Sequence, residues 1–189
     1  RHLKSARQMH QLFRDLPETV ENSVRLDARL EFTLEHLGYQ FPGFPTPNGE
    51  PMDAYLRERT FAGAHQRFGE LPENLRRQLN QELELIARLK FSGYFLIVWD
   101  IVRFAREQDI MCQGRGSAAN SLVAYLLGIS PVNPLDHNLV FERFLSSERK
   151  VVPVIEIDFD GDRCEEVIKF VYKRFGRDKW SMACTFVTF

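Results

Sequence analysis

Val151-Val152-Pro153-Val154-Ile155-Glu156-Ile157-Asp158-Phe159 alternates apolar and acidic side chains after a proline, and that period of two reads as a strand. Successive side chains on a strand point to opposite faces, so Ile155, Ile157 and Phe159 share one face while Val154, Glu156 and Asp158 share the other. The apolar face fixes the strand against a core. The two carboxylates project together from the other side, roughly 7 Å apart at their Cα atoms from the rise per residue. A divalent cation would relieve their repulsion, because hard oxygen ligands suit Mg²⁺ and the ion can bridge carboxylates to substrate phosphates. A half-exposed strand with acidic outer residues accounts for the same pattern without a metal.

Working outward, Asp162 to Phe175 reads as a helix ending at Gly176, and Trp180 to Phe189 as a second strand. Upstream, Ile110 to Gln113 is a short extended segment and Gly114 to Ser117 a glycine turn. Ser117 to Leu127 reads as a helix closed by Gly128, and a loop with Pro131 and Pro134 leads into a short helix over Leu139 to Leu145. The succession of strand, helix and strand predicts an α/β or a mixed α+β class, and with the helical first half the α+β class is the expectation. That half contains a helix from Ala6 to Leu16 capped by Ser5, and a second opened by Pro17 and carrying Val20, Val24 and Ala28. Asp53 to Phe68 forms another. Pro72 to Lys90 is more strongly periodic, with Leu75, Leu79, Leu83, Ile86 and Leu89 at spacings of three and four. Gly93 punctuates, and Tyr94 to Glu107 continues helically. Between Gln40 and Pro51, four prolines and two glycines enforce an extended connector. The chain therefore divides into a helical region over 1–50 and an α+β region with leading helices over 51–189.

Composition narrows the function. Basic and acidic residues nearly cancel, 25 against 26, so any attraction for a polyanion must be local. Cys112, Cys164 and Cys184 are odd in number and widely spaced, which argues against both a disulfide framework and a zinc site and fits a reducing cytosol. The most apolar run, Tyr94 to Val102, is interrupted by Asp100 and followed by Arg103 and Arg106, too short and too charged to span a bilayer. The five histidines show no ligand spacing. Trp99 and the phenylalanines at helical spacing read as core rather than base-stacking platforms. Lys169, Lys173, Arg174 and Arg177 read as a solvated helix face, with phosphate-backbone contact as the alternative.

Gly114-Arg115-Gly116-Ser117 directly precedes a predicted helix. Two glycines let the backbone approach a ligand, and unpaired N–H groups at a helix start favour an anion. Arg115 adds a planar fork of donors and Ser117 a hydroxyl, which together suit a triphosphate. A plain tight turn with a serine cap remains open on this motif alone. A Walker loop is excluded, because no Lys-Ser or Lys-Thr pair follows the second glycine. A dinucleotide fingerprint matches through Gly114, Gly116 and Ala119, but Asp109 to Gln113 is a poor leading strand.

Taken together, several runs resemble the C-family DNA polymerases, the α subunit of bacterial DNA polymerase III and its error-prone relatives. They are Phe91-Ser92-Gly93-Tyr94-Phe95-Leu96, Gly114 through Ser121, Phe141-Glu142-Arg143-Phe144-Leu145, and Glu165-Glu166-Val167-Ile168 ahead of Tyr172 and Gly176. Cys112-Gln113 and Ala119-Asn120 resemble the error-prone branch. The resemblance implies a polymerase-β-like nucleotidyltransferase palm, with a helical region joining it to an amino-terminal domain. It further implies that Gly114, Arg115, Gly116 and Ser117 bind the triphosphate of an incoming dNTP and that the acidic strand binds Mg²⁺. The implied partners are primer-template DNA and other polymerase or replisome subunits, with no membrane. On the strand the family pattern P-D-x-D-x-D-F meets Pro153-Val154-Ile155-Glu156-Ile157-Asp158-Phe159. Val154 stands at the first aspartate, a metal ligand in the family, and Glu156 at the second. Asp158 is retained at the third. Glu156 and Asp158 are therefore the expected catalytic and metal-facing acids, and the chain by itself is expected to be inactive.

Overall fold

The computed structural model describes residues 2–31, 43–146, 153–181 and 183. The chain separates into two compact units, Arg1–Tyr39 and Gln40–Phe189. In the first, Ser5 caps helix α1 (Ala6–Leu12) through a reciprocal capping box with Gln8, and Pro17 opens α2 (Pro17–Asp27). Both helices start where the sequence places them, α1 ends earlier, and neither buries a residue.

In the second unit, α3 (Met52–Phe68), α4 (Glu73–Arg88) and α5 (Ser92–Glu107) precede a two-stranded antiparallel sheet of β1 (Cys112–Arg115) and β2 (Glu156–Phe159). Helix α6 (Leu122–Leu126) lies between the strands in sequence, and α7 (Cys164–Phe175) follows β2 and ends at Gly176. The class is thus mixed α+β and mostly helical. The apolar stripe of α4 buries Leu75, Leu79, Leu83 and Ile86, and it joins Leu56 of α3, Phe95, Leu96 and Val102 of α5, and Leu122 and Val123 of α6 in one core. Phe44, from the proline-rich segment, is buried in the same core.

Five local expectations differ from the structure. The break between α4 and α5 falls at Lys90, which takes a positive φ of 61°, while Gly93 is buried inside α5. Phe91 donates its amide back to the Ile86 carbonyl at 3.0 Å, which turns the chain before Gly93 is reached. β1 runs on through Gly114 to Arg115, so the turn begins at Gly116. The helix expected from Ser117 is a 3-10 turn over Gly116–Asn120 followed by α6, and the helix expected over 139–145 is a 3-10 turn at Phe141–Arg143. β2 occupies only the end of the predicted 151–159 strand: its ladder stops where Arg115 pairs with Glu156, because β1 ends there. The strand expected over 180–189 lies almost wholly outside the described residues.

A buried acid ties the scaffold to α7. Asp100, 2% exposed at its side chain, accepts from Arg103 at 2.6 Å and from Arg174 of α7 at 2.9 Å. Phe104 and Phe170 stack between the same helices with ring centroids 4.1 Å apart. Arg163 adds a bond to the Gln108 carbonyl at 2.7 Å. No helix among the described residues is long and apolar enough to cross a membrane.

Candidate functional site

Antiparallel pairing sets Cys112 opposite Phe159, Gln113 opposite Asp158, Gly114 opposite Ile157 and Arg115 opposite Glu156. This register puts Gln113, Arg115, Glu156 and Asp158 on one face of the sheet, and Ile157 and Phe159 toward the cores on the other. Arg115 faces Glu156 directly and Asp158 diagonally, both within reach of a long side chain. Its Nη1 lies 2.9 Å from Glu156 Oε2, and its Nε donates to Asp158 Oδ1 at 3.0 Å. The hydrogen bond to Asp158, then the charges of Asp158 and Glu156, hold the guanidinium above its ordinary range. All three side chains remain about half exposed, so the ion pairs themselves add little stability.

The turn closes over this face. Gly116 adopts a φ of +71°, a conformation that L side chains rarely take, and a Cβ on it would stand 3.4 Å from Glu156 Oε2. Ser117 donates its hydroxyl to the Val154 carbonyl at 3.4 Å, and Asn120 donates to the Ser117 carbonyl at 3.0 Å. The structure therefore brings Arg115, Gly116 and Ser117 together with Glu156 and Asp158. Gly114 differs: its amide donates to the Ile129 carbonyl at 2.8 Å, and a Cβ there would meet that oxygen at 2.5 Å. Close passage of two backbones explains this glycine.

Entry into β2 is fixed from α5. The Tyr94 hydroxyl accepts from the Ile155 amide at 3.0 Å, and burial raises the phenol above its usual range. Val154, at the place of the family's first acid, is 62% exposed and contributes no ligand atom from its side chain. Glu156 and Asp158 fit Mg²⁺ as far as they go, since that ion is commonly held by one or two carboxylates with phosphate and water oxygens completing six. Among the described residues no group of three or more His, Cys, Asp or Glu could hold a metal ion.

One residue escaped the sequence reading. The cap predicted at Ser117 belongs instead to Ser121, whose Oγ accepts from the Ala124 amide at 3.1 Å. The start of α6 is closed by Glu82 of α4: Ser121 Oγ and the Val123 amide donate to its Oε2, and the Leu122 amide to its Oε1, each at 3.1 Å. Glu82 is 2% exposed. Burial pushes its carboxyl up to about 7, against the lowering effect of Val123, Leu122, Ser121 and Gln78. The signal was present in the sequence, for Glu82 lies three residues after Leu79 and four before Ile86, on the inward stripe of the helix.

Known proteins match this chain over the same region. Residues 54–189 match the family model described as the bacterial DNA polymerase III alpha NTPase domain. An error-prone DNA polymerase of Bradyrhizobium sp. (strain ORS 278) is 48% identical over 188 residues, covering 99% of this chain and 16% of that protein. Those of Symbiobacterium thermophilum and Brucella abortus biovar 1 are 45% and 44% identical over the whole chain, which covers 17% and 18% of their lengths. The chain thus spans about a sixth of the length of these relatives. With most of its residues inside the family model and its turn and acidic strand side by side, the chain belongs to the bacterial DNA polymerase III alpha family, the C-family DNA polymerases.

Proposed function

We propose that this chain supplies part of the site at which a template-directed, error-prone DNA polymerase transfers a nucleotide from a dNTP to a primer 3′-hydroxyl. The observation that carries the reading is the reach of Arg115 across the sheet to both Glu156 and Asp158. Phosphate-binding and metal-facing groups thereby share one open face. Arg115 offers the triphosphate a permanent charge and a fork of donors. Gly116 keeps the backbone bare beside Glu156, and Ser117 carries a hydroxyl that can turn from the Val154 carbonyl to a phosphate oxygen. Gly114 lets β1 pass close to Ile129 so that the turn begins in place. Glu156 and Asp158 would hold Mg²⁺ from the protein side. When bound, that ion lowers the pKa of an attacking hydroxyl and neutralises the leaving pyrophosphate. Primer-template DNA and other polymerase or replisome subunits are the partners this reading calls for, and the cytoplasm its compartment.

Val154 favours a second reading, a non-catalytic copy that still binds nucleotide, DNA or a polymerase partner. Valine cannot coordinate a metal, and the extra methylene of Glu156 shifts its oxygens by about an ångström, which matters for an ion that demands near-ideal octahedral geometry. Primer extension separates the two. In a full-length polymerase carrying this sequence, Val154→Asp should raise Mg²⁺-dependent extension well above that of the native sequence. No rise would reject the account in which activity is limited by the missing ligand.

A further inference from the structure

We propose that Glu82 is a positioning residue for the phosphate-binding turn: its buried carboxylate clasps the start of α6 and so sets where Gly116 and Ser117 stand relative to Glu156. The inference rests on the nucleotide-binding reading above.

The turn is anchored at two ends. At one, Arg115 closes the β1–β2 ladder opposite Glu156. Gly116–Asn120 then forms a 3-10 turn, a conformation whose hydrogen bonds are poorly aligned and which rarely extends far on its own. Within it only Ala118 is buried, and Ser117 and Asn120 make the exposed bonds already described. The other anchor must therefore fix the turn. That anchor is Ser121, whose amide donates to the Ala118 carbonyl at 3.1 Å and whose hydroxyl is held by Glu82. Helix α6 has five residues, far below the length at which a helix sustains itself, so its first turn depends on outside acceptors.

Glu82 meets that need with both oxygens. Ser121 Oγ already serves Ala124, which leaves the Leu122 and Val123 amides to the carboxylate. α4 thus reaches across the core to hold the segment immediately after the turn, from a residue 34 positions before Gly116 in the sequence. A carboxylate buried without a cation is a costly cap, because desolvation opposes its charge. A plain helix cap is available from serine alone. The costlier arrangement couples the turn to the buried apolar stripe of α4.

The test uses this chain with dATP and Mg²⁺ in calorimetric titration, together with amide hydrogen exchange. Glu82→Gln keeps the size but replaces one acceptor with a donor. Ser121→Ala is a milder second variant that leaves the carboxylate in place. Ile86→Val, a core change in the same helix, controls for lost stability. The expectation is faster exchange over residues 116–124 but not in α3 or α5. Affinity for Mg·dATP should fall roughly tenfold or more in Glu82→Gln, as for small misplacements of positioned groups, less in Ser121→Ala, and not in Ile86→Val. Unchanged exchange over 116–124 would overturn the proposal. So would unchanged affinity in both variants while the native chain binds and Arg115→Ala does not, since Glu82 would then be a structural cap only. If the native chain fails to bind Mg·dATP, the nucleotide reading itself fails and this inference falls with it, a result visible before any Glu82 variant is made.

Discussion

Arg115 and Glu156 stand directly opposite one another on adjacent antiparallel strands, with Nη1 2.9 Å from Oε2. The register that creates this pair is also what makes the site sensitive to small backbone changes, because a slip of one residue would send Arg115 to the inner face.

Gly114→Ala should damage that register. Its Cβ would come within 2.5 Å of the Ile129 carbonyl oxygen, a backbone atom with little freedom to yield. A loss of about 2 kcal/mol in urea unfolding is expected from such overpacking. Gly161→Ala, with nothing within 4 Å of the added carbon, should be near neutral.

Glu82 gives stability a pH signature. Its carboxyl rises from 4.5 to about 7 on folding, so the folded state binds the proton more tightly. The stabilisation is complete below pH 4.5 and is lost as pH rises to about 7, by at most about 3 kcal/mol. The groups facing Glu82 there, Ser121, Gln78 and two amides, are uncharged. Denaturation from pH 4.5 to 8 should show the native chain losing stability relative to Glu82→Gln across that window, and a constant difference would refute the assignment.

Asp100→Ala should cost about 2 kcal/mol, the scale of hydrogen bonds to a charged group, because Arg103 and Arg174 lose the acid that joins α5 to α7. Guanidinium unfolding monitored by tryptophan fluorescence would read this. The outer ends of both arginines reach solvent, so Asp100→Asn should recover part of the loss.

Tyr94→Phe removes the oxygen that accepts from the Ile155 amide. Roughly 1 kcal/mol of stability should go with it. Hydrogen exchange at Ile155 should quicken more than at Ile157, which lies within β2.

Much of this architecture was legible. Helix starts at Ser5 and Pro17 and the end at Gly176 followed from local chemistry, as did the two faces of the 154–159 segment. Lys90 was not, because its positive φ is set by the turn that brings the Phe91 amide back to the Ile86 carbonyl and not by a lysine's own preference. The sequence reading put the cap at Ser117, and a carboxylate from a residue 39 positions before Ser121 places it at Ser121 instead. The proximity of Arg115 to Asp158 depends on a strand pairing across 43 residues, which no local pattern encodes. Motif order, through the family resemblance, suggested it.

The central claim is that the turn and the acidic face act as one Mg-nucleotide site. Calorimetric titration of dATP into the native chain, with and without Mg²⁺, and into Arg115→Ala and a Glu156→Gln, Asp158→Asn double variant tests it most directly. The account predicts binding that requires Mg²⁺ and falls at least about tenfold in both variants, as expected when charge-assisted contacts to phosphate or metal are removed. Binding of equal strength in all three proteins, or binding indifferent to Mg²⁺, would contradict it.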